Sequence, residues 1–481
     1  MSDDLPSREV FPLVCSGCGY AAPAGDPYPF RCPNAAAGDD IDHVLVRRLE
    51  PPPPGGFPTE SSPNPFIRYR ELFRSHRLAL AGGMTDAGYV DLVERLDKEI
   101  DAVDGHGFRQ TPFQRADRLS DLLGFEPEGG VWVKDETGNV SGSHKARHLM
   151  GLLIHLRVVE EIGLLPDDGA LPDLAIASCG NAALAAAVVA KAGGRRLRVF
   201  VPTSADRAVV RRLRELDAVI EVCPRTAGVP GDPTVHALRR AISEGALPFT
   251  CQGDLNGLAI EGGQTLGYEM VSQLAADGVR LDRVFVQVGG GALASAALAA
   301  FIEGHGLGAL EWLPRFHAVQ TAGGYPLKRA YDLLSQRILH RVQRETGERP
   351  RSAWNESKRA GFMRAWAGKP SVERELAYGA THRSSFMWPW ETEPASVAHG
   401  ILDDETYDWL AVVRGMVATG GHPVVVDEGR LERANGLARE ATGIDVDHTG
   451  SSGLAGLMQL SGRDAVHPHE RVAVLFTGVR R

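Results

Sequence analysis

Val131-Trp132-Val133-Lys134-Asp135-Glu136-Thr137-Gly138-Asn139-Val140-Ser141-Gly142-Ser143-His144-Lys145-Ala146-Arg147 is the stretch on which the reading of this chain turns. An apolar strand runs into an acidic, glycine-bearing turn, and Lys145 stands where a helix begins. A lysine that does Schiff-base chemistry must sit on a rigid element and be partly desolvated, so that its amine can be neutral when it attacks an aldehyde. An ordinary strand–turn–helix with a solvated lysine gives the same local pattern. Three further signals downstream favour the chemical reading.

The bulk numbers bound the classes. The chain has 481 residues, more than one core normally serves, which predicts two or three domains. Hydrophobic residues make up 43% and charged residues 23%, the balance of a globular protein. A formal net charge of −9 leaves no basic footprint for nucleic acid. No apolar run approaches the roughly 20 residues that span a bilayer, so no membrane partner is expected. Met1-Ser2-Asp3-Asp4-Leu5-Pro6 lacks the basic-then-apolar layout of a signal peptide, and six cysteines in so long a chain make no disulfide framework. The expected location is the cytoplasm.

Short apolar runs alternate with helical, alanine-rich stretches. Leu174–Ala177, Leu197–Pro202, Ala218–Val222, Arg283–Val288 and Arg471–Phe476 read as buried strands. Several lead through a Gly or Ser turn into a helix, which predicts an α/β fold with open parallel sheets covered by helices. In such sheets ligands bind beyond the carboxyl ends of the strands. Each candidate motif stands at such an end.

After the run at 174–177 comes Ser178-Cys179-Gly180-Asn181 and a helix. The glycine lets the backbone approach a flat ligand, and the asparagine amide can donate to a ring oxygen. A serine or asparagine helix cap is the plainer alternative, and Cys179 reads as a small buried thiol. After the run at 283–288 comes Gly289-Gly290-Gly291-Ala292, whose exposed N–H groups at a helix start suit a phosphate. The spacing does not match the dinucleotide pattern G-x-G-x-x-G. After the last strand comes Thr477, whose hydroxyl can bond a neutral pyridine nitrogen; a simple strand terminus is the alternative.

Taken together and in this order, these residues resemble the fold-type II family of pyridoxal-phosphate enzymes, the tryptophan synthase β-like fold, over roughly residues 64–481. Thr111-Pro112-Phe113 and Ile260-Glu261-Gly262-Gly263-Gln264-Thr265 resemble further family motifs. Within the family, Asn64-Pro65-Phe66-Ile67-Arg68-Tyr69-Arg70-Glu71-Leu72 and Cys15-Ser16-Gly17-Cys18-Gly19 are most similar to threonine synthase and cysteate synthase.

The resemblance implies the following roles. Lys145 forms the Schiff base with pyridoxal 5'-phosphate and moves protons at the substrate's Cα and Cβ. Ser143, Asn181, the Gly289, Gly290, Gly291 and Ala292 loop, and Thr477 hold the cofactor. Ser178, His144 and Arg147 are candidates for substrate contact. A hydroxyl partner cannot keep the pyridine nitrogen protonated, and a weaker electron sink suits elimination and replacement better than transamination. The expected activity is therefore a threonine-synthase-like lyase or synthase, working by β- or γ-elimination or replacement on a phosphorylated or otherwise activated amino acid. Alternatives are a threonine/serine dehydratase-type ammonia-lyase and a catalytically silent homologue. A homodimer is the implied assembly.

The chain departs from the family pattern beside the lysine, where His144 replaces a usual Phe, and after Asn181, where Ala182 replaces the Thr of synthases or His of dehydratases. Neither assignment carries over intact. His144 is read as a packing variant, and Glu261 as a cap of its own helix.

Residues 1–60 form a knuckle that ends in the spacer Pro51-Pro52-Pro53-Pro54-Gly55-Gly56, expected to be extended and semi-rigid. Cys15, Cys18 and Cys32 have zinc-ribbon spacing. Pro33-Asn34-Ala35 stand where the family has its fourth cysteine, which leaves His43 as the candidate fourth ligand; a ribbon held by packing alone is the alternative. Residues 61–150 and 256–481 are expected to form the large cofactor-binding domain, with an Arg-rich helical insertion at about 328–380 as a lid or oligomer contact. Residues 151–255 are expected to form a small α/β domain.

Overall fold

The apolar runs assemble into two parallel sheets and one small hairpin. The structure, a computed structural model, describes residues 9–36, 38–165, 171–225, 232–348, 354–463 and 465–481; the acidic opening stretch Met1–Pro6 lies outside them. The hairpin is β1 (Leu13–Cys15) paired antiparallel with β2 (Leu45–Arg47). Next come β3 (Phe113–Arg115) and β4 (Gly130–Asp135), then the small-sheet strands β5 (Leu174–Ala177), β6 (Leu197–Pro202), β7 (Val219–Cys223) and β8 (Leu247–Pro248). The chain closes its sheets with β9 (Arg283–Gln287), β10 (Arg315–Thr321), β11 (Val424–Val426) and β12 (Arg471–Phe476).

The large sheet has the order β11-β10-β9-β12-β4-β3, and every pairing is parallel except β3 with β4. The small sheet runs β7-β6-β5-β8, parallel throughout. Parallel strands need crossover helices and bury both faces, which is why β9 and β12 carry runs such as Val472-Ala473-Val474-Leu475-Phe476 with every residue buried.

Two helices fix the lysine segment. Lys145–Glu161 packs on Ala259–Asp277 so closely that a Cβ on Gly151 would lie 2.7 Å from Gly262 Cα. Small residues at the crossing let the backbones touch. Leu149, Leu152, Leu153 and Leu156 are buried beneath, each stabilising by about 1.5–3 kcal/mol. The expected domain break at 150/151 falls inside the helix Lys145–Glu161.

Residues 328–380 are mostly helical where described, in Pro326–Thr346, Glu356–Trp366 and Pro370–Thr381. Leu334, Met363, Val372 and Leu376 are buried, and Arg337 and Arg341 both pair with the buried Glu375. The proline spacer is not simply extended. Gly56 N–H donates to the Pro53 carbonyl at 3.1 Å and reverses the chain at φ +73°. That turn drops Phe57 onto Tyr69 and Tyr268, with centroids 6.0 Å apart in both pairs.

Candidate active site

Three neighbouring strands of the large sheet deliver three parts of the site to one edge. β4 runs through the turn to Lys145, β9 into Gly289–Gly291, and β12 into Thr477, and these strands lie side by side as β9-β12-β4. The register sets Asp135 beside Phe476 and Phe285 beside Val474, so all three carboxyl ends stop at one level.

The turn ahead of the lysine is tightly held. Ser141 and Gly142 both take the left-handed conformation, at φ +56° and +62°. A side chain is strained at the first and Gly suits the second. Ser143 bridges to Gly478, and His144 N–H donates to the Thr477 carbonyl at 3.3 Å. The His144 ring is buried and its Nδ1 lies 3.2 Å from the same carbonyl. A carbonyl only accepts, so Nδ1 carries the proton. Burial holds this imidazole well below its usual range, with the charge of Lys145 adding to the effect. His144 thus clips the lysine turn to β12 through Nδ1, while its Nε2 has no partner among the described residues. Lys145 itself is half-buried in the first helical turn.

At the end of β12 the hydrogen bonds are directional. Gln287 Nε2 donates to Thr477 Oγ1 at 2.5 Å, and also to the carbonyls of Gly450 and Leu475. The Thr477 hydroxyl has its acceptor side used and, among the described residues, no acceptor for its own proton. It is poised to donate. Ser143 Oγ, fully buried, has no partner among the described residues.

The second sheet contributes Asn181. Its helix, Asn181–Ala192, has Gly180 as N-cap and no side-chain cap bond, so the helix uses neither Ser178 nor Asn181. A Cβ at Gly478 would meet Asn181 Nδ2 at 2.8 Å, which puts the amide against the end of β12. Arg481 Nε donates to Asn181 Oδ1 at 3.1 Å. That bond fixes the amide with its N–H groups uncommitted. Ser178 is half-buried beside this loop, and Cys179 is exposed, against the buried thiol expected.

The glycine loop is gripped from behind. Thr406 Oγ1 donates to the Gly289 carbonyl at 2.9 Å and Asp408 N–H to the Gly290 carbonyl at 3.0 Å. A Cβ on Gly289 would lie 2.3 Å from Asp403 Oδ2, and one on Gly290 would lie 2.9 Å from the Tyr407 ring. Gly291 turns the chain at φ +102° into the helix Ala292–Gly306, leaving N–H groups at the start of its dipole. Burial pushes the Asp403 carboxyl up to about 6, while the positive Lys145 pulls the other way. Asp403 thus lies against the glycine loop, in a space that the charge of Lys145 reaches.

Arg147 is not in that space. It is fully buried, bonded to Glu136, Glu269, Thr111 and Thr265, and Lys134 joins the same network through Glu269. Two residues along a helix is about 200° of turn, so position 147 points away from the side that 145 uses. The side chain expected to touch substrate is thus taken up by a buried ion network. Glu261 likewise caps another helix, accepting from the N–H of Arg74 at the start of Arg74–Ala81 and pairing with Arg47.

A fit to a phosphorylated pyridine aldehyde is visible in these groups. A half-buried lysine at 145, a hydroxyl at Thr477, a buried hydroxyl at Ser143 with no partner among the described residues, an amide at Asn181 and three glycines at a helix start all follow the carboxyl ends of strands in the two sheets. A family model described as "Pyridoxal-phosphate dependent enzyme" matches residues 106–478. The chain belongs to the pyridoxal-phosphate dependent enzymes.

Pyridoxal phosphate is the cofactor of this pyridoxal-phosphate dependent enzyme, and its α/β architecture is that of fold type II. It is 21% identical over 370 residues to a threonine synthase of Methanocaldococcus jannaschii, covering 76% of this chain and 74% of that one. In fold it is similar to maize serine racemase, with TM-score 0.51, 17% identity, and 80% and 92% of the two chains covered. It is also similar to diaminopropionate ammonia lyase from Escherichia coli, with TM-score 0.54, 16% identity, and 81% and 88% covered. No helix among the described residues is long and apolar enough to cross a membrane.

Gln287, Asp403 and Arg481 escape sequence reasoning. Gln287 offers one signal, a polar side chain at the end of an apolar strand; the other two show only in space.

Proposed function

We propose that this enzyme is a lyase or synthase that performs β- or γ-elimination or replacement on an amino acid carrying a leaving group, in the manner of threonine synthase. The observation that carries the reading is the Thr477 hydroxyl, its acceptor side filled by Gln287 and its proton without an acceptor among the described residues. Bound pyridoxal phosphate supplies an electron sink for the amino acid's Cα. A hydroxyl partner leaves the pyridine nitrogen neutral, and a moderate sink favours loss or exchange of a side-chain group over transamination.

In this reading the Lys145 amine takes and returns protons at Cα and Cβ. Ser143 and the amides of Gly289, Gly290, Gly291 and Ala292 hold the phosphate, and Asn181 holds the ring hydroxyl. Ser178 lies on the loop that faces the substrate. The likeness to a threonine synthase supports replacement on a phosphorylated amino acid. Asp404 and Glu405, which follow Asp403 past the glycine loop, favour a second reading, ammonia release from threonine or serine, because a second phosphate on the substrate would meet their negative charge. A homodimer is part of the proposal, and light scattering on the purified protein checks it.

The deciding assay offers O-phosphohomoserine, O-phosphoserine, threonine and serine to the holoenzyme and follows phosphate and ammonia separately. Phosphate release supports the first reading. Ammonia from threonine or serine alone selects the second. A cofactor-loaded protein inert to a broad amino-acid panel contradicts both.

A further inference from the structure

The function just described leaves the N-terminal knuckle unused. We propose that Cys15, Cys18, Cys32 and His43 bind one zinc ion in a closed Cys3His site, and that this ion holds Asp42 against the segment behind the glycine loop.

The geometry is that of a tetrahedral metal site. One ligand atom from each residue lies within 4.8 Å of all the others. Cys18 Sγ and Cys32 Sγ are 3.6 Å apart, and Cys15 Sγ lies 3.4 Å from His43 Nδ1. Zinc with Zn–S of about 2.3 Å and Zn–N of about 2.0–2.1 Å sets S···S at about 3.8 Å and S···N at about 3.6 Å. The observed spacings match that shell within a few tenths. They are far beyond a disulfide bond of about 2.05 Å, and all three cysteines are free.

The surroundings are arranged for thiolates. Cys18 N–H points at Cys15 Sγ at 3.5 Å, and Asn34 Nδ2 points at Cys18 Sγ at 3.6 Å. Gly19, at φ +75°, turns the loop so that its N–H returns to the Cys15 carbonyl. A Cβ on Gly17 would lie 2.4 Å from the Ile41 side chain, so the loop closes only with glycine there.

His43 is oriented from its far side. Its Nε2 lies 3.2 Å from Asp39 Oδ2, and Asp39 is held by the N–H groups of Ala36 and Ile41 at 2.8 and 3.2 Å. A carboxylate on one imidazole nitrogen fixes the tautomer and leaves the other nitrogen as a ligand. Packing holds the base of the knuckle, where Val10, Leu13 and Phe30 join the main core, but at the ligand end Cys15, Cys32 and Leu45 form a small buried cluster of their own, with Tyr20 beside them. Four protein ligands leave no open position, so the ion is structural.

The consequence reaches the active site through the neighbour of a ligand. Asp42 donates its N–H to the Ala380 carbonyl at 2.8 Å, accepts from Trp409 Nε1 at 3.2 Å and pairs with Arg383 at 3.4 Å. Trp409 follows Thr406 and Asp408, which hold the carbonyls of Gly289 and Gly290. This second half rests on the reading of that loop as the phosphate cradle; the metal site does not.

The test uses the full chain purified without chelators. Elemental analysis should give one zinc per chain, and cobalt replacement should give thiolate charge-transfer and tetrahedral ligand-field bands. Cys15→Ser and Cys32→Ser should lose the metal, whereas His43→Cys should keep it. Asp39→Ala should weaken it about 10- to 100-fold against a chromophoric chelator. Wild-type protein that is folded yet carries no stoichiometric zinc and gives no cobalt spectrum overturns the site, even where cysteine variants fail to fold. Removing zinc should speed hydrogen exchange in residues 401–409; unchanged exchange there overturns the link to Asp42. Metal content is read independently of the cofactor, so a protein that ignores pyridoxal phosphate but holds zinc separates failure of the functional reading from failure of this one.

Discussion

Gln287 donates to the Thr477 hydroxyl from 190 residues away in the chain, which occupies the acceptor side of that oxygen and leaves its proton without an acceptor among the described residues. Thr477→Val removes the hydroxyl at nearly constant size. Cofactor binding should weaken by about 0.5–1.5 kcal/mol, roughly two- to tenfold. Gln287→Leu should cost stability as well, about 1–3 kcal/mol, because the buried carbonyls of Gly450 and Leu475 lose their donor. Cofactor titration of the apoprotein and urea unfolding measure the two effects separately.

The Arg147 network makes a second, structural prediction. Arg147→Met leaves Glu136 and Glu269 buried without their guanidinium partner, and should destabilise the protein by about 3–5 kcal/mol. Replacing Arg147, Glu136, Glu269 and Lys134 together with apolar residues of similar size should recover much of that loss, because Lys134 pairs with Glu269 and would otherwise be left buried without a carboxylate. Urea midpoints of the single and quadruple variants decide it.

Acid sensitivity follows from two buried imidazoles. Burial, with positive Lys145 and Arg147 nearby, pushes His148 down to about 3; burial, with Arg74 nearby, does the same to His155. In the unfolded chain each titrates near 6.5. Between those values the unfolded chain binds protons that the folded one does not, so their contribution is complete above about pH 6.5 and is lost as the pH falls toward 3. His155→Gln removes one such proton. The slope of stability against pH should flatten by about 1.4 kcal/mol per pH unit inside the window. Equal slopes in urea series of wild type and variant would refute the assignment.

Arg481 and Asn181 give a prediction about positioning. Arg481→Ala frees the Asn181 amide to rotate, and should weaken cofactor binding severalfold while leaving the unfolding midpoint nearly unchanged. Asn181→Ala should weaken it at least as much. Arg481→Lys keeps a donor near Asn181 Oδ1 and should restore part of the affinity.

The sequence exposes what is local. β5, β6 and β12 are legible because strands buried on both faces become unbroken apolar runs ended by Gly, Ser or Thr. β10 is hidden because Arg315, His317 and Gln320 interrupt its run, and these polar groups are tolerated only through tertiary partners such as Arg283 and the His422 carbonyl. β3, β8 and β11 have three, two and three residues, lengths fixed by the neighbouring strand rather than by their own pattern. The same division runs through the site. Asn181 and the triple glycine follow closely on strand ends, and Lys145 opens the helix that follows β4 through one turn, so all three candidates are visible in the sequence. Arg147 misleads because nearness in sequence does not give nearness on a helix face. Glu261 misleads because its acceptor serves a helix 187 residues away.

The central claim is that Lys145 is the amine that carries the cofactor. Borohydride reduction of the protein loaded with pyridoxal phosphate, followed by peptide mass mapping, tests it most directly. The account predicts one phosphopyridoxyl adduct per chain on the peptide holding Lys145, absent in Lys145→Ala. An adduct on another lysine, or none in a protein that otherwise folds, would contradict it.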